Sequence, residues 1–348
     1  MADASRTRPC RVAIRISRDN AYGQGLLRGI AAFAQTQATW RFLDDPSHAI
    51  EAPDGLGRAQ LDGVIAYSPI WAHLRAYQDL GIPMVNPTSR RLDRPCAKVG
   101  VDNVAMGTAG ASHLLELGLT RLGFLMRRHT SSDRERAEAF GRAVEQAGAQ
   151  RLDIPSVDKT PNPADALIER LDLHQGPVGL MCASDTLAAE VIAVLRSCQI
   201  DVPQHVAVLG CGNDELACAF SDPPCSSIDN NAFQIGLAAG KMLQELIDGQ
   251  LTGFPEWQIQ PGQVIQREST MVLSIEDAEM ARAVRFVRQN ACKGIGVADV
   301  LAAVPISRRR LERGFVQSIG RSPGAEIRRI QMQRAMHLLG QSDLPIGQ

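Results

Sequence analysis

The sequence predicts an α/β protein in which two doubly wound parallel-sheet lobes precede a small all-α module. Three observations carry this reading. Over the first part of the 348 residues, short apolar runs rich in β-branched side chains alternate with amphipathic stretches of helical length. Such uninterrupted strand-like runs, spaced by helices, read as parallel sheet covered on both faces. Their number exceeds what one small sheet holds, so two lobes fit better. Beyond Asp277 the β-branched pattern stops and arginine-rich amphipathic segments take over.

Taken in order, strands are expected at Val12–Ile16, Trp40–Leu43, Val64–Tyr67, Met84–Val85, Leu122–Met126, Val178–Cys182 and Val206–Leu209. Helices are expected at about 23–36, 103–117, 134–147, 164–172, 186–197 and 232–248. Gly118 closes the LLELG stretch in the manner of a helix C-cap. Ser184 and Asp185 follow the apolar run LMCA, so a strand is expected to end there on a helix start, where ligands of open α/β sheets sit. The expected division is a two-lobed body over 10–274, with lobe 1 at 10–117 plus 232–270 and lobe 2 at 120–228, and a terminal module over 275–348. In that module helices are expected at Ala278–Asn290, Val297–Val304, Ser307–Ser318 and Pro323–Leu339.

Charge divides in the same place. The chain holds 37 basic and 38 acidic residues, but residues 275–348 hold 12 against 7, leaving the body net acidic. Only the terminal module is electrostatically suited to a polyanion. The first ten residues are polar, the apolar run after them carries an arginine, and no stretch approaches the length of a membrane span. A cytoplasmic protein without membrane association is expected. The eight cysteines include no pair at zinc-knuckle spacing, and the seven-residue steps Cys211, Cys218 and Cys225 have no histidine among them, so neither metal nor cofactor is expected. No GxGxxG, Walker A or HExxH motif is present, and the histidines are scattered, which argues against an enzyme.

The segment VADVLAAVPISRRRLERGFVQSIG, residues 297–320, reads as two helices joined tightly at Pro305-Ile306, with Ser307 as N-cap of the second. Leu311, Phe315 and Ile319 form its inward stripe. Arg308, Arg309, Arg310 and Arg313 crowd its first turns, where cations oppose the helix dipole unless a polyanion covers them. With the following residues to position 346, this segment resembles the first helix-turn-helix and linking helix of AraC/XylS-type DNA-binding domains. The resemblance implies that Arg309, Glu312 and Arg313 face bases of double-stranded DNA while Arg308 and Arg310 flank the groove or support the helix. Glu312 could equally act as an intrahelical partner. The family's second helix-turn-helix would fall beyond Gln348, so the match is truncated.

The body resembles the periplasmic-binding-protein-like sensors of the LacI/GalR family, through SRDNAYGQGLLRGIAAFAQ, VGVDNVAMGTAGASHLLELG, SSDRERAEAFGRAV, CASDTLAAEVIAVLRSCQIDVPQHVAVLGCGNDEL and NAFQIGLAAGKMLQELIDG. The order, sensor first and AraC-type module last, is similar to that of xylose-operon regulators. It implies a homodimeric transcription regulator, an activator by family expectation, whose effector is a sugar or sugar derivative. Effector contacts are expected from Arg136, from Tyr22 against a sugar ring, and from Asp185, Asp102 and Asn213. The bland alternatives are an interlobe or surface salt bridge for Arg136, edge packing for Tyr22 and helix capping for the two aspartates. One departure stands out: where the family pattern has glycine, an apolar residue, Asp and Asn, this chain has Gly210-Cys211-Gly212-Asn213, which removes a ligand-facing carboxylate and weakens the case for xylose itself. The other reading is a small-molecule sensor without competent DNA recognition.

Overall fold

The computed structural model describes residues 8–37, 40–44, 61–68, 71–79, 81–159, 162–271, 278–319 and 321–341. The chain forms two compact units, Met1–Val272 and Leu273–Gln348.

The first unit opens with β1 (Cys10–Arg15), α1 (Ala21–Gln37), β2 (Trp40–Asp44), β3 (Gly63–Ala66), α2 (Trp71–Asp79), β4 (Met84–Asn86) and β5 (Ala97–Val101). It continues with α3 (Asn103–Glu116), β6 (Arg121–Leu125), α4 (Ser131–Gln146), β7 (Gln150–Leu152), α5 (Pro163–Leu171), β8 (Val178–Cys182) and α6 (Asp185–Ser197). β9 (Val206–Gly212), α7 (Glu215–Phe220), β10 (Ser226–Asp229), α8 (Ala232–Ile247), β11 (Glu256–Ile259) and β12 (Val264–Ile265) complete it.

These strands form two sheets, ordered β11-β5-β4-β3-β1-β2 in lobe 1 and β12-β10-β9-β8-β6-β7 in lobe 2. Every pairing is parallel except that of β10 with β12. The buried runs β3 (GVIA), β6 (RLGFL) and β8 (VGLMC) explain the two-sided cover: no alternation survives because both faces meet helices.

The chain crosses between lobes three times: after β5, after β10 and between β11 and β12. The expected lobe boundary at residue 117 is therefore corrected, because α3 packs on α4, β8 and β12 and belongs to lobe 2. Glycines set this docking. A Cβ on Gly107 would lie 2.2 Å from the Arg136 carbonyl oxygen, and one on Gly110 would lie 2.2 Å from the Met181 sulfur. Periodicity reveals that 103–117 is an amphipathic helix but not which sheet receives it. The tail of lobe 1 is corrected likewise, since β12 and the 3-10 turn Glu268–Thr270 lie with lobe 2.

Expectation omitted β5, α2, α7, β10 and the edge strands β7, β11 and β12. β10 reads SSID, and its buried serines hid it: Ser226 is satisfied by the Arg267 backbone, and Thr270 donates to its hydroxyl at 2.7 Å.

The second unit comprises α9 (Ala278–Asn290), α10 (Val297–Ala303), α11 (Arg308–Ile319) and α12 (Pro323–Gln341) around Met280, Val284, Val287, Val300, Leu311, Phe315 and Ile327. Each short helix is started by a side chain. Asp299 accepts the Gly296 N–H at 2.8 Å, and Ser307, just outside α11, accepts the Arg310 N–H at 3.2 Å. Buried Glu326 sits between Arg329 at 2.8 Å and Arg321 at 3.4 Å, fixing the start of α12. The boundary segment 272–277 and residues 342–346 of the family-like stretch lie outside the described residues.

Candidate functional site

A cavity of about 290 Å³ lies between the lobes, walled by residues that follow the carboxyl ends of strands in both sheets. Tyr22, Tyr67, Thr88, Ser89 and Arg90 come from lobe 1; Arg127, Arg128, Ser132, Asp133, Arg136 and Ser184 come from lobe 2, and Asn230 from the second crossing. Parallel sheets gather chemistry there because successive connections open on the same side.

Tyr22 and Tyr67 meet edge to face, with centroids 5.3 Å apart. The Tyr22 hydroxyl donates to the Pro87 carbonyl at 3.0 Å, which fixes its ring in the wall. Burial pushes both phenols above their ordinary range, while Arg136 opposes the shift in both and Arg90 also does so at Tyr67. Both rings are therefore neutral surfaces beside cations.

Arg136 is held by α3 and by the end of β8. Its Nε donates to Asn103 Oδ1 at 2.8 Å and its Nη1 to the Ala183 carbonyl at 3.3 Å. Asn103 is itself turned by donating to Glu135 at 3.1 Å. Among the described residues no carboxylate pairs with Arg136, which leaves the expected salt-bridge alternative without support.

Asp102, Asp185 and Asn213 do not line the cavity, and each expectation is corrected by what its side chain meets. Asp102 caps α3, accepting the Ala105 N–H at 2.9 Å, and its other oxygen accepts from Gln260. Asp185 is buried and accepts the Asp214 N–H at 2.7 Å, while the cap of α6 is Ser184. Burial pushes the Asp185 carboxyl up to about 6, against the lowering effects of Ser227, the Asp214 N–H and Arg267. Asn213 adopts φ +54, donates its N–H to Ser227 and accepts from Arg267 at 2.9 Å. Gly212 explains the local sequence departure. Its φ is +126, and a side chain there would reach to 3.1 Å from Asp185 Oδ2.

Sequence reasoning missed the residues of the β4–β5 connection, Thr88, Ser89 and Arg90, together with Tyr67 and Asn230. No periodicity marks such connections; the usable signal was their position one to four residues past a strand end.

In the helical unit, Arg308, Arg309, Arg310, Glu312 and Arg313 are all exposed on α11. Glu312 pairs with Arg308 at 3.5 Å along the helix, which realises its intrahelical alternative. Arg310 pairs with Glu279 of α9, which ties two helices together and favours its helix-supporting alternative over flanking the groove. Arg309 and Arg313 make no ion pair among the described residues.

Among the described residues no cluster of His, Cys, Asp and Glu could hold a metal ion. No described helix is long and apolar enough to cross a membrane.

Residues 111–270 match the periplasmic binding protein-like domain model. The xylose operon regulatory protein of Escherichia coli (strain K12) is 28% identical over 98% of this chain and 90% of its own. That of Haemophilus influenzae is 26% identical over 97% and 90%. Among solved structures, the xylose-binding transcription activator xylR matches with a TM-score of 0.62 and 28% identity, covering 96% of this chain and 88% of its own. A CelR–cellobiose complex shares the sensor fold at a TM-score of 0.57, with 21% identity over 74% of this chain and 84% of its own. These relatives are transcription regulators, not enzymes. Over nearly its whole length the chain is similar to transcription regulators of the xylose-operon type, and its body has the periplasmic-binding-protein-like fold.

Proposed function

We propose that a small carbohydrate binds the cavity between the lobes and thereby changes how the terminal helical unit engages double-stranded DNA. The observation that carries this reading is the cavity wall itself, with two aromatic rings beside convergent hydroxyl, amide and guanidinium groups drawn from both lobes. That is the lining a sugar requires: apolar faces for its ring and fixed polar partners for its hydroxyls. At about 290 Å³ the space suits a ligand of monosaccharide size.

Because the walls come from two lobes, a ligand that touches both favours their approach, and differential affinity for the closed arrangement is the source of any signal. On the DNA side, α11 carries the reading. Arg309 and Arg313 are exposed and four residues apart, hence on one face of the helix, where guanidinium groups suit guanine edges and phosphates. A homodimer would present two such helices to paired half-sites and gain through effective concentration. The protein is read as a cytoplasmic regulator that needs no cofactor.

The reading is tested by differential scanning fluorimetry of the full chain across pentoses, hexoses and their acids and phosphates, followed by calorimetry on each hit. A saturable ligand whose binding is lost in Arg136→Ala supports it; absence of any binder in the set contradicts it.

A further inference from the structure

The charge of the cavity wall identifies the class of ligand more narrowly. Among the described residues four guanidinium groups line it, those of Arg90, Arg127, Arg128 and Arg136, against one carboxylate, that of Asp133. Two of the four have partners: Arg127 is paired with Glu190, and Arg128 with Asp158 at 3.2 Å. Arg90 and Arg136 have no carboxylate among the described residues. The Arg136 acceptors are neutral, an amide oxygen and a backbone carbonyl. Asp133 is committed to the start of α4, where its Oδ2 accepts from Thr130 Oγ1 at 2.7 Å.

Hydrogen-bond type points the same way. Guanidinium groups only donate, so a cavity dominated by them suits a ligand rich in acceptors, whereas neutral hydroxyls need acceptors as well as donors. The other carboxylates expected near the ligand, Asp102 and Asp185, are used on a helix cap and a buried turn. The first turns of α4 and α6 contribute Ser132, Ser184 and Leu187 to the wall, adding the positive ends of two helices. Both cations line the same cavity as the Tyr22 and Tyr67 rings, and both oppose the upward shift of the Tyr67 phenol.

We infer that the effector is an anionic carbohydrate, a sugar acid or a sugar phosphate, whose charged group lies between Arg90 and Arg136 while its ring lies against Tyr22 and Tyr67. This rests on the reading of the cavity as the sensor site. Charge-assisted bonds to guanidinium are stronger than neutral ones and favour planar carboxylate or phosphate oxygens.

The test is calorimetry on the full chain with matched ligands that keep the sugar ring: D-glucose against D-glucuronate and D-glucose 6-phosphate, D-galactose against D-galacturonate, with D-xylose as a neutral pentose and inorganic phosphate as the bare anion. An anionic sugar is expected to bind at least about tenfold tighter than its neutral parent, a preference that weakens with added salt. Arg90→Gln, checked for folding by circular dichroism, is expected to bring the pair to near parity; Arg90→Lys should keep part of the preference. The acid and phosphate arms separate the two sources of charge. A neutral sugar binding as tightly as its acid and phosphate, a preference indifferent to Arg90→Gln, or inorganic phosphate binding as well as any sugar would each overturn the inference. The first two leave the sensor reading intact. Failure of every ligand to bind would remove the sensor reading as well.

Discussion

The hydroxyls of Ser89 and Ser132 lie 3.1 Å apart, one from each lobe, at the wall of the cavity. Beside them Arg91 reaches across the same divide, its N–H donating to Ser131 Oγ at 2.9 Å and its guanidinium pairing with Glu135 at 3.2 Å. These contacts hold the lobes together beside the cavity. Ser132 is buried, so its hydrogen bond is not readily replaced by water.

Ser132→Ala is therefore expected to favour the open arrangement. Loss of one buried hydrogen bond costs about 1 kcal/mol, or roughly fivefold in effector affinity. Calorimetry on the variant checks this, and unchanged affinity would remove the contact from the closing mechanism.

Arg136→Ala is expected to weaken effector binding by about tenfold or more, since a hydrogen bond to a charged group contributes about 1.5–3 kcal/mol. Arg136→Lys should recover only part of this, because a point charge cannot reproduce a planar fork. Full recovery by lysine would indicate that only charge matters there.

Asp185 gives a pH prediction. Its carboxyl titrates near 6 in the folded chain, above its ordinary 3.8, because of burial. Between these values the folded state keeps a proton that the unfolded chain has released, so the contribution to stability falls as pH rises and levels off above about 6. The fall amounts to roughly 2–3 kcal/mol. Asp185→Asn is expected to flatten the stability profile from pH 4 to 7, as read by urea denaturation followed at tryptophan fluorescence. An identical profile would show that the buried carboxyl does not titrate in this window.

Replacing Arg309 and Arg313 together with alanine is expected to lower affinity for a selected duplex more than for a scrambled one. A guanidinium on a guanine edge discriminates by about 1–3 kcal/mol, whereas phosphate contacts weaken all sequences alike. Fluorescence anisotropy with duplexes chosen from a random pool makes the comparison; equal losses would assign both arginines to the backbone.

Much of this architecture was legible in the sequence, for reasons that individual segments make plain. VGLMC and GVIA announce buried strands because they are apolar on both faces, and Ser307 before RRRLERGF announces a helix start. Tyr22 and Arg136, expected near a ligand, do line the cavity. The rest required the third dimension. The lobe that receives α3 depends on Gly107 and Gly110 meeting Arg136 and Met181, partners about thirty or more residues away. Arg90 lies in a connection without periodicity, and only folding brings it to Tyr67 and Arg136. Asp185 satisfied the strand-end criterion, yet its side chain turned toward the Asp214 backbone, a direction no one-dimensional pattern records.

The central claim is that ligand in the cavity governs DNA binding by the terminal unit. The most direct measurement is the affinity of the full chain for its selected duplex, by anisotropy, with and without saturating effector. A shift of about fivefold or more, the lower range of typical allosteric coupling, is the result this account requires. Equal affinity in both conditions, with effector binding confirmed by calorimetry, would contradict it.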